Sequence, residues 1–398
     1  MLKKLDFKNF YSFKNKVSLD FVSRKNKKLG DSYYIDGFGN SVSKVVVAIG
    51  ANASGKTNLL RSVAFLKWFI SDSFVGLAPN EDISYKPFLF SSKNYPTEFL
   101  VEFDDNNHNE VFRYQLIITQ KRVVKEMLSS RAPGKRKFVK LFKRESRNGK
   151  DTLSFGRHFS LPNDFSSLLK DNSSVISTAK QIGNSKCENV CAIWRRVNTN
   201  VVEEGRIWVA KEPDVAEFYL SNTKIKNKME EFIRHFDLGL SGVEIKKVSV
   251  GNETRYDFYG KHKMVDNYKA PHFELPFKYE SSGTRNLIMW LKTIFKVLEN
   301  GGVALLDELD VDLHPHIVME LIKIFSSKKH NPLNAQLFTS LHAVEALRLL
   351  DKQQIVIVEK NDLGESNAWS LADLKGVRSD ENIYSKYMAG VYGGIPKL

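Results

Sequence analysis

KVVVAIGANASGKTNLL, Lys44 to Leu60, is an uninterrupted β-branched run that enters a Gly-rich turn carrying Lys56 and Thr57. The run VVVAI has the composition of a strand buried on both faces of a parallel sheet. The turn, Gly50-Ala-Asn52-Ala53-Ser54-Gly55-Lys56-Thr57, fits the pattern G-x-x-x-x-G-K-[ST]. In that pattern successive backbone N–H groups wrap a phosphate chain at a distance only glycines allow, and the next helix aims its positive end at it. Lys56 then reaches the β and γ phosphates, Thr57 offers a hydroxyl to Mg²⁺, and Asn58 follows inside the first turn. After the loop, Thr57 to Ser71 (TNLLRSVAFLKWFIS) has apolar residues at helical spacing.

A second element answers the first. Val303-Ala-Leu-Leu-Asp307-Glu308 ends an apolar run in two carboxylates, which places them at the C-terminal end of a buried strand, where α/β sheets bind ligands. Asp307 is the candidate for holding Mg²⁺ through water, and Glu308 for polarising an attacking water. From Thr284 the order is helix (TRNLIMWLKTIFKVLEN), strand (GVALLDEL), helix (HIVMELIKIFSS), strand (AQLFTS) and strand (QIVIVEK). Helices alternating with buried strands imply a parallel sheet.

The rest of the chain reads differently. LKKLDFKNF and VSLDFVS alternate at period two around the turn YSFKNK, and EFLVEF, VFRYQLIIT, KRVVKEML and KFVKLF read as antiparallel strands, the last two pairing across APGKRK. Asp164 to Phe236 reads as helical, and VEIKKVSV and TRYDFYG return to strand. The expected organisation is an α/β P-loop NTPase with a mixed sheet. Residues 1–160 hold the phosphate loop and an antiparallel β subdomain, 161–240 a helical insertion, and 241–398 the second half of the core.

Composition narrows the partners. The net charge is +14, and between Lys121 and Arg157 thirteen Lys or Arg face three acids, Glu126, Glu145 and Asp151. Such a window is the electrostatic footprint of a nucleic-acid backbone or an acidic protein, or else a solvated strand face that keeps the chain soluble. No run of 18 apolar residues exists and MLKKLDFKNFYSF lacks the apolar core of a signal peptide, so a cytoplasmic chain with no membrane association is expected. The two cysteines, Cys187 and Cys191, suit a reducing compartment and read as buried thiols on one helix face.

Further motifs carry a resemblance. Ser281-Ser-Gly283-Thr-Arg opens a helix ahead of the acidic strand, LLDELDVDLHP follows, and His342 comes directly after AQLFTS. These resemble the signature loop, the D-loop (Val311 to His314) and the switch histidine of ATP-binding-cassette ATPases. With LDFKNFYSF at one end and YMAGVYGGIP at the other, the chain is similar to bacterial AAA/OLD-type ATPases, relatives of the chromosome-maintenance (SMC) ATPases. Both terminal thirds match; the middle matches only loosely. The resemblance implies ATP and Mg²⁺ as ligands, hydrolysis supported by Lys56, Glu308 and His342, and phosphate contacts from Ser281 and Gly283 of a second copy in a homo-oligomer. It also implies a separate effector, a Toprim-type or other nuclease among the candidates, and a place in antiphage defence. SSGTR departs from the Gly-Gly-Gln form of the signature. Gln115 and Gln120 are candidates for the Mg²⁺-sensing glutamine, and Tyr11 and Phe13 for stacking on adenine.

Two other classes stay open. A nuclease could use Asp310-Val-Asp312 with Glu359, but Toprim domains place the glutamate strand first and the D-x-D later, the reverse of this order. An SMC-like DNA-binding ATPase would use the basic hairpin. A transporter subunit fits poorly with the LHP motif and the basic middle. His314 and His316 flank Pro315 at a helix start and read as a terminus feature rather than a metal pair.

Overall fold

A computed structural model describes residues 1–398 except 24–29, 90–94, 106–108, 148, 208–211, 237–238, 251–252, 264–271, 379–380 and 397–398. The run VVVAI forms the strand Val45–Ile49, buried along its whole length. Gln336–Ser340 lies parallel to it on one side and Ile355–Lys360 parallel on the other. Val303–Leu306 and then Val197–Thr199 extend the sheet in parallel beyond Gln336–Ser340, and Ser366–Ser370 closes the opposite edge antiparallel. Among the described residues this makes a six-stranded mixed sheet.

The period of two decides which core each residue joins. Val46 and Ala48 face one core, and Val45, Val47 and Ile49 the other. The first core holds the phosphate-loop helix, Lys56–Gly76, which runs past the expected end at Ser71, together with the inner face of a seven-stranded antiparallel sheet. In that sheet Leu2–Lys8 joins Val17–Asp20 to a meander running from Thr97–Asp104 to Lys150–Phe155. The second core holds the helices Ser282–Asn300 and Pro315–Ser326 and the helix Thr223–His235, the last packed on the hairpin Leu240–Val250 and Glu253–Lys263.

Two expectations need correction. The stretch Asp164 to Phe236 is not helical throughout. Between the helices Ser185–Arg195 and Glu212–Ser221 it carries the strand Val197–Thr199, an edge of the central sheet, and a hairpin of Val201–Val202 with Gly205–Arg206. Strands of two or three residues are too short to show a period, and the partner of Val197–Thr199 lies far downstream at Val303–Leu305. The basic window does fold as paired strands, Val123–Arg131 with Val139–Arg147, but its charge is not all outward. Arg144 is fully buried, bonded to Asp151 and to the carbonyls of Lys170 and Ser173, and Arg113 and Arg131 lie over the Phe138 ring at 3.9 and 4.9 Å. Lys135, Arg136 and Lys137 remain exposed in the turn. Cys187 and Cys191 are buried on one helix, as read.

Candidate functional site

The phosphate loop is shaped by what crowds its glycines. A Cβ on Gly50 would stand 2.0 Å from the carbonyl oxygen of Val358, and one on Gly55, at φ +115°, would stand 2.5 Å from Ser366 Oγ. Ser366 Oγ is 2.6 Å from Ser54 O and 2.8 Å from Ser12 Oγ, and the Asn58 amide donates to Ser12 Oγ at 2.8 Å. Residues from both ends of the sequence therefore clasp the loop. Ala53 adopts φ +59°, a left-handed turn residue at the tip. Lys56 is folded back, its Nζ donating to Gly50 O at 2.8 Å and Ala51 O at 3.0 Å. Burial holds its pKa below the ordinary lysine value, opposed by the charges of Glu308, Asp307 and Asp310.

The acidic pair meets the loop directly. Asp307 is buried; one carboxylate oxygen accepts from Thr57 Oγ1 at 2.8 Å and the other from Ser340 Oγ at 2.6 Å. Ser340 Oγ also accepts the Glu308 amide at 2.7 Å, so one hydroxyl positions both acids. Asn200 fixes the Asp307 backbone from the other side, accepting its N–H at 2.8 Å and donating to its carbonyl at 3.0 Å. Glu308 has φ +51°, and its two oxygens face Arg206 Nη1 at 2.5 Å and His342 Nε2 at 3.6 Å. The amides of His342 and Ala343 both donate to Asp310, at 2.7 and 2.5 Å.

A cleft of about 530 Å³ opens at this junction, lined by residues 52–58 with Glu308, Val311, His342 and Lys360. Its chemistry suits a nucleotide's phosphates: loop amides at a helix N-terminus, Lys56, and Ser54 Oγ, buried with no hydrogen-bond partner among the described residues. Thr57 Oγ1 and the Asp307 carboxylate are oxygens of the kind a hard divalent ion takes.

Ser281 and Gly283 do not line this cleft. Ser281 is exposed and caps Ser282–Asn300, accepting the Thr284 amide at 3.1 Å. Gly283 abuts the D-loop, where a Cβ would lie 2.5 Å from Asp312 O, and Asn286 donates to the Asp312 carboxylate at 2.9 Å. The structure thus gathers Lys56, Thr57, Asp307, Glu308 and His342 in one place and sets the signature loop apart.

Several candidates go elsewhere. Gln115 lies in mid-strand between Leu100 and Met127, and the Gln120 amide nitrogen is 3.5 Å from Tyr85 O. Phe13 is fully buried, edge-on to Phe7 at 5.1 Å. Tyr11 lies under the Arg61 guanidinium at 4.2 Å. None of the four lines the cleft. Asp312 and Glu359 are also engaged apart from each other, Glu359 accepting the Gly394 amide at 3.1 Å. His314 caps Pro315–Ser326 through its Nδ1, the terminus role read for it. Asn200, Arg206, Ser340, Ser366 and Ser12 carried no motif that would have singled them out.

No curated protein matches the chain in sequence. Among solved structures, the SMC head domain from Thermotoga maritima is similar at a TM-score of 0.43 and 14% identity, over 93% of this chain and 98% of that one. The recombination mediator protein RecF with ATP, of the RecFOR pathway, is similar at a TM-score of 0.29 and 16% identity, over 85% of this chain and 91% of that one. The profile of the family described as "AAA domain, putative AbiEii toxin, Type IV TA system" matches residues 45–342, from the strand that feeds the phosphate loop to the histidine that faces Glu308, and the chain belongs to that family.

Proposed function

We propose that the chain binds and hydrolyses ATP in this cleft and works as a switch, closing head to tail on a second copy while the γ-phosphate is present and loosening when it is gone. The observation that carries the reading is the convergence of Lys56, Thr57, Asp307, Glu308 and His342 around one cleft. In this reading Lys56 leaves its carbonyl partners for the β and γ phosphates, and Glu308 accepts the proton of the attacking water. His342 holds the far side of that water. Thr57 and Asp307 would hold Mg²⁺, which would supply positive charge along the phosphate chain.

The exposed position of Ser281, outside its own chain's cleft, supports a composite site in which Ser281 and Gly283 come from the second copy. A separate effector, with a nuclease of Toprim or other type among the candidates, then reads the state of the pair. Antiphage defence is the proposed setting. The exposed turn Lys135-Arg136-Lys137 favours a nucleic-acid trigger, the role an SMC-like DNA-binding ATPase would also give it.

Mixing two inactive variants tests the composite site. Lys56→Ala and Ser281→Arg should each abolish turnover. A mixed pair contains one site with both defects and one intact site, so under exchanging conditions each mixed pair whose two sites act independently should recover up to about half the activity of a wild-type pair. No recovery, with subunit exchange confirmed by differential tags, means that both residues act within one chain or that both sites must fire together.

A further inference from the structure

The hairpin that carries Arg206 is built onto the acidic strand itself. Val197–Thr199 pairs with Val303–Leu305, and Asn200 is bonded to both backbone polar groups of Asp307. The Ile207 amide returns to Asn200 O at 2.8 Å, so the segment from Asn200 to Ile207 closes as a loop hinged on one buried residue. Within it Val201 pairs with Arg206 and Val202 with Gly205. That register presents the Arg206 guanidinium to Glu308 Oε2, while the tip touches the phosphate-loop helix and its neighbour. The Tyr11 hydroxyl reaches Glu203 O at 3.4 Å, and a Cβ on Gly205, at φ +127°, would stand 3.1 Å from Arg61 Nη2.

We infer that Arg206 is a brake on Glu308: it occupies the carboxylate that the hydrolytic step needs, and hydrolysis requires the hairpin to release it. The guanidinium takes up the lone pair of Oε2 that faces it, so a water cannot be held at that position of the carboxylate while the pair stands. His342 stands at the other oxygen, so Glu308 is flanked on both sides. The hairpin tip leans on the phosphate-loop helix at Arg61, so any shift of that helix would reach Arg206 through the hairpin. Arg206 thus acts through Glu308, and the inference rests on Glu308 being the group that activates water.

Single-turnover hydrolysis, with the protein in excess of ATP and concentrated enough to pair, tests it. The pair is about a third exposed, its side chains 28% and 30% accessible, so its strength is modest. Arg206→Ala and the length-preserving Arg206→Gln should hydrolyse roughly fivefold faster than the wild type. Their ATP affinity in equilibrium titration and their unfolding midpoint should be unchanged, and Arg206→Lys should restore most of the brake. The double variant with Glu308→Gln should be as slow as Glu308→Gln alone. Hydrolysis that is unchanged or slower in both Arg206→Ala and Arg206→Gln, with ATP affinity intact, overturns the brake. So does acceleration that survives Glu308→Gln. Wild-type turnover in Glu308→Gln by itself overturns the assignment of Glu308 instead, which keeps the two failures apart.

Discussion

Asn200→Ala should loosen the acidic pair without touching it. The substitution removes the acceptor of the Asp307 amide at 2.8 Å and the donor to its carbonyl at 3.0 Å, both in a place closed to water. Each buried backbone group left without a partner costs about 1–3 kcal/mol, so the local loss is at least about 2 kcal/mol. Hydrogen exchange read on a peptide spanning residues 303–309 isolates this effect, because the Asp307 amide bonds to the Asn200 side chain. A local loss of about 2 kcal/mol corresponds to exchange roughly thirtyfold faster at that amide, while amides in Val45–Ile49 keep their protection. Asn200→Asp separates the two bonds, since a carboxylate still accepts the amide but cannot donate to the carbonyl. Its Asp307 amide should therefore exchange more slowly than in Asn200→Ala. Unchanged protection at Asp307 in Asn200→Ala would show that the strand end is held by the sheet alone.

Glu308→Gln should keep ATP binding and lower turnover by about a hundredfold or more, measured by phosphate release beside equilibrium nucleotide titration. Gly283→Val places a side chain where even a Cβ lies 2.5 Å from Asp312 O, so denaturant unfolding should show a loss of about 1–3 kcal/mol and ATP-dependent pairing should weaken. Reversing Lys135, Arg136 and Lys137 to Glu should weaken nucleic-acid binding and flatten its salt dependence; no wild-type binding to DNA or RNA at low salt would leave an acidic protein as the partner. Burial pushes the Cys191 thiol from 9.0 up to about 11 and raises Cys187 as well, so iodoacetamide at pH 8 should label neither until the chain is unfolded. Because the unfolded chain gives up these protons first, the same shift makes stability fall as pH rises above about 9, which denaturation at several pH values can follow.

The phosphate loop was legible because its function is local: backbone amides, a lysine and a hydroxyl within eight residues, between a strand and a helix whose periods are plain. The acidic pair and His342 were legible because each ends an apolar strand of the same sheet. What the sequence did not disclose comes from tertiary contact. Ser340 is one more small polar residue at the end of QLFTS until the fold sets it 2.6 Å from Asp307. Asn200 lies in the bend between Val197–Thr199, whose partner strand is distant, and a hairpin of two-residue strands that holds Arg206, so VNTNVVEEGR offers no period to read. The thirteen cations between Lys121 and Arg157 overstated the surface charge, because a net count cannot tell the buried Arg144 from the exposed Lys135.

The clasp on the phosphate loop sets an order of events during synthesis. Val45–Ile49 leaves the ribosome early, but the strands that border it arrive late: Gln336, which donates to Ser43 O, lies 293 residues downstream, and Ser366 lies 354 residues beyond its partner Ser12. At roughly 10 residues per second the interval is on the order of half a minute. Throughout it VVVAI is a strand with two bare edges, no charge and no proline, the kind of segment that pairs with whatever strand it meets. Lys44 at its entrance and Lys56 at the first turn of the next helix are the nearest charges to discourage such pairing before translation supplies the proper neighbours.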